Sequence, residues 1–205
     1  MAQTPQTATE STLRHIPTAL LYTIVTVIAL GLVYPAIMTG VASVLFPRQA
    51  NGSMVIVNGT IVGSDIIGQL WTKPQYFHGR PSAAGKNGYD PTSTGGTNLG
   101  PTSKKLIDAT RDAIATLKKE NPDATGPIPM DLATSSASGI DPDISPAAAE
   151  YQAPRVTKAR GMRLDDVRAL IRAHVHQREL GFLGEPRVNV LELNLALDAN
   201  GGTPK

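Results

Sequence analysis

The sequence predicts an α+β protein in which a single N-terminal transmembrane helix is followed by one small mixed α/β domain with two long ordered loops. Three observations support this prediction. Residues 16–46 include no formally charged side chain, the chain after residue 48 is long enough for one ordinary domain, and two stretches rich in glycine, proline and small polar residues interrupt its helical and strand patterns. The predicted segments are a disordered tail at 1–13, a transmembrane anchor at 14–46, a soluble domain at 47–200 and a flexible tail at 201–205.

The anchor prediction depends on the length and uniformity of the apolar run. About 20 apolar residues cross the ~30 Å hydrocarbon core of a bilayer as a helix, and the 31 residues of 16–46 exceed that length with apolar side chains on every face. The hydrophobic segment of a cleaved signal peptide has only about 7–15 residues, so we expect an uncleaved anchor. Tyr34-Pro35 predicts a kink or an interfacial exit. Arg14 precedes the apolar run and Arg48 follows it, so the positive-inside rule does not predict which end of the helix is cytoplasmic.

The first half of the domain is predicted to contain a hairpin and a helix. Residues 54–57 and 60–62 are apolar runs on either side of Asn58-Gly59, a dipeptide typical of a two-residue hairpin turn. Apolar residues at helical spacing over 106–117 predict a helix, which the Asn121-Pro122 pair should end.

The second half is predicted to contain four shorter elements. These are a short strand at 128–134, a helical turn at 147–152, an amphipathic helix from Leu164 to a stop at Gly181, and a strand at 188–197. The apolar phase of the last strand slips between Val190 and Leu191, which indicates a bulge.

Two long loops are predicted, at 71–101 and 135–146. Loops beyond about 12–15 residues without secondary structure are uncommon in compact domains and are usually functional or disordered. The first loop keeps Trp71, Tyr76 and Tyr89, which a disordered segment would lack. It therefore indicates an ordered loop that binds a partner.

Several kinds of site are not supported by the residues. The net charge of +2 is small and no aromatic residues interleave with basic ones, so no nucleic-acid partner is predicted. Gly79–Lys86 has five residues between its glycines where a phosphate loop has four, and Ser93–Thr97 is too short a match to an ATPase signature loop. His174 and His176 point to different faces of a helix, so no metal site is predicted.

One enzymatic alternative remains open at this point. The loops contain His78 and Asp90 together with several serines, and loops often carry catalytic residues. A membrane-anchored hydrolase could use this pair. No nucleophile-elbow motif accompanies them, so no catalytic residue is predicted.

An ordered series of sequence blocks runs through the loops and the C-terminal region. It includes Gly63–Gln69, Tyr76–Ser82, Gly95–Pro101, Ser136–Pro142 and Leu180–Leu191. In this order the blocks resemble the C subunit of the Kdp potassium-transporting P-type ATPase. The resemblance covers nearly the whole chain, including the anchor.

The resemblance implies a non-catalytic subunit of a bacterial inner-membrane complex for high-affinity, ATP-driven potassium uptake. Its partners would be a potassium-translocating A subunit, an ATP-hydrolysing B subunit, a small F subunit and the lipid bilayer. The family implies a cytoplasmic N-terminus and an extracytoplasmic main domain. It also implies support of assembly and a proposed role as a catalytic chaperone that raises the ATP affinity of the B subunit, so that ATP is the one cofactor suggested for the family.

A partner interface on the first loop is the site hypothesis. Residues 69–101 would contact the potassium-translocating subunit through aromatic, basic and amide side chains that a glycine- and proline-rich loop would otherwise expose. The candidates are Gln69, Tyr76, Phe77, His78, Arg80, Tyr89, Asp90 and Asn98. The alternative is that these side chains hold the loop to its own domain.

Overall fold

The computed structural model describes residues 12–201. The predicted tails at 1–13 and 201–205 therefore fall, apart from their innermost residues, outside the described part of the chain. The chain divides into two compact units between Gly52 and Ser53, and each unit is described by itself below.

The first unit is helical and apolar. A 3-10 turn at Thr12–His15 leads into α1 (Ile16–Ile28), a π turn (Ala29–Val33), α2 (Tyr34–Leu45) and the single turn α3 (Pro47–Ala50). Ile16–Leu45 is the one helix within residues 12–201 that is long and apolar enough, by length and composition, to cross a membrane. The predicted helix is confirmed, and its irregular turn lies directly before Tyr34-Pro35, where proline removes a backbone donor.

The second unit begins with the predicted hairpin. Strands β1 (Met54–Val57) and β2 (Thr60–Ser64) pair antiparallel, with Val57 opposite Thr60. Asn58 and Gly59 have φ values of 51° and 78°, which match the turn that joins hairpin strands with the normal twist.

Five helices and a small sheet form the rest of the unit. The helices are α4 (Lys104–Glu120), α5 (Met130–Ala133), α6 (Pro146–Arg160), α7 (Leu164–Ala173) and α8 (Val190–Asn200). The strands are β3 (Asp143–Ile144), β4 (Val175–His176) and β5 (Arg187–Asn189), in the antiparallel order β3-β5-β4. Side chains from α6, α7, α8, the sheet and the first loop form one core, which includes Phe77, Ile144, Val156, Val167, Ile171, Val188, Leu193 and Leu197.

Two predictions in the middle of the chain need correction. Residues 128–134 form no strand, because Met130–Ala133 is the helical turn α5. The helical turn predicted at 147–152 is the 15-residue helix α6, which contains Pro154. Its ends are fixed by Ser145, whose Oγ accepts from the Ala148 N–H at 3.0 Å, and by Gly161 in the left-handed conformation.

The C-terminal predictions also need correction. The helix that begins at Leu164 ends at Ala173 rather than at Gly181, because Val175 and His176 pair with β5. The strand predicted at 188–197 ends at Asn189, and α8 begins at the next residue, Val190. The Asn189 side chain accepts from the Glu192 N–H at 3.1 Å and so caps this helix. The phase slip at Val190 is therefore a change from strand to helix and not a bulge.

Candidate functional site

The two predicted loops lie side by side and are joined by hydrogen bonds. In the described chain, residues 68–103 form no helix or named strand, and neither do residues 134–142. Three backbone bonds connect them: Gly68 N–H to Ile140 O at 2.8 Å, Gly95 N–H to Ser138 O at 2.8 Å, and Ser136 N–H to Pro81 O at 3.0 Å. We call residues 68–101 and 135–142 together the two-loop platform.

Ser82 links the two loops through its side chain. Its Oγ donates to Gly139 O at 2.5 Å and accepts from the backbone N–H groups of Tyr89 at 2.8 Å and Ala84 at 3.2 Å. Gly139 has a φ of +73°, and a Cβ at this position would lie 2.6 Å from the Cβ of Ala84. The contact therefore requires glycine at residue 139.

Two buried amide side chains hold the backbone of the first loop. The Asn194 Oδ1 accepts from the Phe77 N–H at 2.8 Å, and its Nδ2 donates to Phe77 O at 3.0 Å. Gln152 does the same for the next residue, His78, at 2.8 and 3.0 Å. Each amide thus occupies the place of a neighbouring β-strand and satisfies both backbone groups of one loop residue, the buried Phe77 or the half-buried His78.

Arg155 fixes the start of the same loop from α6. Its guanidinium donates to Pro74 O at 2.7 Å and Tyr76 O at 2.9 Å. It also donates to Gln152 Oε1 at 2.6 Å and Asn121 Oδ1 at 3.0 Å. Burial lowers the pKa of Arg155 to about 10, which leaves it protonated at neutral pH. No sequence pattern marks these three loop-holding side chains, since a lone glutamine, arginine or asparagine in a helix normally faces solvent.

Two of the predicted interface residues point inward. Phe77 is fully buried in the core and has no surface for a partner. The His78 ring is half-buried, with Nε2 3.1 Å from Lys73 O and Nδ1 3.6 Å from Glu120 Oε2. Burial and the nearby Arg155 charge lower the pKa of His78, so the ring is neutral at pH 7.

The remaining aromatic and basic candidates are held by contacts within the domain. Tyr76 donates to Asp198 Oδ2 at 3.1 Å, and the Arg160 guanidinium lies 4.9 Å from its ring centre. Arg80 pairs with Asp141 at 3.0 Å. The Tyr89 hydroxyl donates to Arg80 O at 2.6 Å, and burial raises its pKa to about 12.

The polar candidates differ in exposure. Gln69 is half-buried and donates from Nε2 to Val62 O at 2.9 Å. Asp90 accepts from the N–H and the hydroxyl of Thr92 at 2.8 and 2.7 Å, and these bonds lower its pKa. Asn98 is exposed, with a φ of +50°. The free edge of the platform is thus formed by small polar side chains around residues 92–98.

A pocket of about 390 Å³ lies between the first loop and α4. His78, Arg80 and Glu120 supply polar groups to its wall, while Tyr89 and Leu117 supply apolar surface. The pocket is therefore suited to a mixed polar and apolar side chain from outside the domain.

The described residues give no support to the hydrolase alternative. His78 interacts with Glu120 and Lys73, Asp90 interacts with Thr92, and within residues 12–201 no hydrogen bond joins His78 to Asp90. In the same range, no group of three or more histidine and acidic side chains is arranged to hold a metal ion. His174 bonds Leu170 O and is separate from His176, which pairs with Glu192.

The two segments that resemble phosphate loops do not fit ATP. A phosphate cradle needs free backbone N–H groups at the start of a helix. Gly79–Lys86 is followed by further loop and not by a helix, and its Ser82 is bonded to Gly139. In Ser93–Thr97, the Gly95 N–H already donates to Ser138 O. We therefore assign no nucleotide to either segment.

An exposed apolar turn connects β4 and β5. Leu180 and Phe182 are 83% and 68% exposed, and Leu183 is also exposed. The turn is closed by reciprocal backbone bonds between Glu179 and Leu183 at 3.0 and 2.9 Å, and Leu180 has a φ of +53°. A large apolar residue in this conformation at full exposure is uncommon and suggests a contact surface. The sequence signal for this turn is the pair Gly181 and Gly184, which flank Phe182-Leu183 and both have positive φ values; Gly181 belongs to this turn and does not end a helix.

Comparison with known proteins gives one consistent family. The family model KdpC, described as the c chain of the K+-transporting ATPase, matches residues 16–199. The potassium-transporting ATPase KdpC subunit of Koribacter versatilis is 52% identical over 192 residues, which cover 93% of this chain and 97% of the relative. The subunit of the same name from Acidobacterium capsulatum is 55% identical over 186 residues, covering 91% and 98%. That from Caulobacter vibrioides is 53% identical over 188 residues, covering 91% and 94%.

Proposed function

The chain belongs to the KdpC family, the c chain of the K+-transporting ATPase, and we propose that it is the membrane-anchored, non-catalytic accessory subunit of such an ATPase. Its role is to support the assembly and stability of the complex. The relatives, which are named as subunits of a potassium-transporting ATPase, support this proposal. The partners are then the potassium-translocating A subunit, the ATP-hydrolysing B subunit and the small F subunit.

We place the chain in the bacterial inner membrane as a single-pass protein with a cytoplasmic N-terminus and an extracytoplasmic domain. Nearly every side chain of Ile16–Leu45 is exposed, and none is buried. Such a helix is stable only where lipid or other membrane helices cover its surface.

The two-loop platform is proposed as the surface that docks the potassium-translocating subunit. The observation that carries this proposal is the fixed conformation of a long irregular segment. Ordering backbone costs roughly 1–2 kcal/mol per residue, and here buried side chains of Gln152, Arg155 and Asn194 offset that cost. A rigid scaffold that holds an irregular loop at the surface is the usual arrangement of a binding site.

The free polar edge at 92–98 and the pocket beside α4 are the parts of the platform available to a partner. The buried Phe77 is excluded from the interface, and Tyr76, His78, Arg80 and Tyr89 contribute only the surface that their internal contacts leave exposed. Gln69, Asp90 and Asn98 remain candidates. The apolar turn at 180–183 is a second contact region, because large apolar side chains are the usual anchors of protein interfaces.

The chain is not proposed to bind ATP directly. If the domain is extracytoplasmic, the nucleotide of the B subunit lies across the bilayer from it. A catalytic-chaperone effect on ATP affinity would then be transmitted through Ile16–Leu45.

Co-purification tests the subunit assignment. The affinity-tagged full-length chain is expressed with the other subunits and extracted in a mild detergent. We expect a P-type ATPase and a potassium-translocating protein to be recovered with it, and potassium uptake to depend on its presence. Recovery of the chain alone, stable and monodisperse, would contradict the assignment.

Interface variants test the docking surface separately. Ser93→Arg places a long charged side chain on the exposed edge of the platform, and Ala115→Arg places one on the exposed side of α4. We expect the first variant to be recovered without its partners and the second to be recovered with them, at equal thermal stability of the chains. Equal recovery of partners would refute the platform as the interface and leave the family assignment intact.

A further inference from the structure

The hairpin β1–β2 exposes apolar side chains that no described residue of its own domain covers. Ile56 and Ile61 are 62% and 61% exposed, and Met54 and Val57 are also exposed. Ile56 lies directly opposite Ile61 in the antiparallel register. Cross-strand partners project to the same face of a sheet, so the two isoleucines form one apolar surface.

The hairpin also lacks the charges that normally protect an exposed two-stranded sheet. Residues 54–64 contain no charged side chain. Exposed strand edges in soluble domains usually carry lysine, proline or inward-pointing charges that prevent association. An uncharged, apolar hairpin is therefore a surface that is covered in the protein's working environment.

The position of the hairpin in the chain indicates what covers it. Eight residues, 46–53, separate Leu45, the last residue of the apolar helix, from Met54. A chain of that length reaches about 30 Å at most when fully extended. From Ile16 to Ser64, Arg48 is the single formally charged residue, so the connector and the hairpin continue the nearly uncharged character of the apolar helix.

We propose that the hairpin lies in the headgroup region of the bilayer that Ile16–Leu45 crosses, with Ile56 and Ile61 facing the lipid. The inference rests on the membrane anchoring of the proposed function. Backbone groups on the outer edges of the hairpin can bond water at this depth, because the headgroup region, unlike the hydrocarbon core, contains water.

Site-specific labelling tests this placement, because the native sequence contains no cysteine. Ile56→Cys and, independently, Ile61→Cys are labelled with an environment-sensitive fluorophore in the full-length chain. The protein is reconstituted into vesicles of phosphatidylethanolamine and phosphatidylglycerol, with or without lipid that carries a shallow nitroxide quencher. Ala115→Cys, exposed on α4 of the same domain, is the aqueous control, and Leu30→Cys is the control for the anchor.

We expect the labels at 56 and 61 to be quenched by the nitroxide lipid and to be protected several-fold from aqueous iodide relative to the label at 115. Residues 56, 61 and 115 belong to one domain, so a mixed orientation of the protein in the vesicles affects all three labels equally. Labels at 56 and 61 that respond to iodide as the label at 115 does would overturn the proposal.

Two other outcomes would also overturn it in favour of a different cover. If the labels at 56 and 61 lose their protection from iodide when the protein is diluted with lipid, a second copy of the chain covers the hairpin. Protection that arises only in the assembled ATPase indicates a partner subunit. Access of aqueous iodide to the label at Leu30, equal to its access to the label at 115, would instead refute the membrane anchor itself, and with it the premise of this inference.

Discussion

Replacing Asn194 by leucine removes both hydrogen bonds that hold the backbone of Phe77. Leucine has a similar size, so the change leaves the Phe77 N–H and C=O without partners in a fully buried place. Each unsatisfied buried group costs about 1–3 kcal/mol, so the free energy of unfolding should fall by roughly 2–5 kcal/mol. This is a large part of the 5–15 kcal/mol or so that stabilises a typical domain.

The assay is urea unfolding of the full-length chain in detergent, followed by circular dichroism. With a denaturant dependence of about 2 kcal/mol per molar urea, the midpoint should fall by roughly 1–2.5 M. Asn200→Leu is the matched control, because it changes the same residue type on α8 at an exposed position. We expect that control to shift the unfolding free energy by only about 0.5 kcal/mol.

Hydrogen exchange gives a second, local measurement. In Asn194→Leu the amides of residues 72–90 should exchange faster, while those of α4 (Lys104–Glu120) change less, because the loop loses its attachment before the domain unfolds. If both the midpoint and the exchange of residues 72–90 match those of Asn200→Leu, the amide does not hold the loop, and the proposed basis of the platform is wrong.

Two further predictions concern the platform and its pH dependence. Gly139→Ala should destabilise the domain more than Gly126→Ala in the same unfolding assay. Both residues have positive φ values, but an added Cβ would lie 2.6 Å from the Ala84 side chain at residue 139 and would meet nothing within 4 Å at residue 126. Equal losses of unfolding free energy in the two variants would show that Ala84 can move aside without cost, and would contradict this prediction. Burial and the Arg155 charge lower the pKa of His78 below 6.5, so the unfolded chain binds the proton more tightly. The stability that the neutral ring contributes is complete above pH 6.5 and is lost as the pH falls towards the folded pKa. His78→Gln should therefore flatten the dependence of the unfolding midpoint on pH between 7.5 and 5.5, and an unchanged slope would contradict this.

The elements that the sequence predicted correctly are those specified by local patterns. The apolar helix, the hairpin at Asn58-Gly59 and α4 each follow from composition, a turn dipeptide or an amphipathic period within the segment itself. The α8 helix was mistaken for a strand because it is buried on several sides. Its apolar residues therefore recur at every second position, including Leu191, Leu193 and Leu197. The length of α6 was underestimated because Pro154 normally ends a helix.

The candidate site was predicted only in outline. The sequence identified the two loops as ordered and named side chains that lie on them. It could not identify Gln152 and Asn194, because nothing local distinguishes a buried amide from a solvated one. Their role depends on the loop backbone, which lies 74 and 117 residues away in the chain. The burial of Phe77 depends on the same long-range packing.

The π turn at Ala29–Val33 has a consequence for how neighbouring helices contact the apolar helix. An α-helix advances by about 100° per residue, and a π turn holds about one residue more than an α turn. Positions that would share a face in an unbroken helix are therefore rotated by roughly 100° between α1 (Ile16–Ile28) and α2 (Tyr34–Leu45). A helix packed along one stripe of α1 meets a different stripe on α2. If the helix crosses a bilayer as proposed, two neighbouring helices, one in each leaflet, can thus contact this chain without competing for the same side.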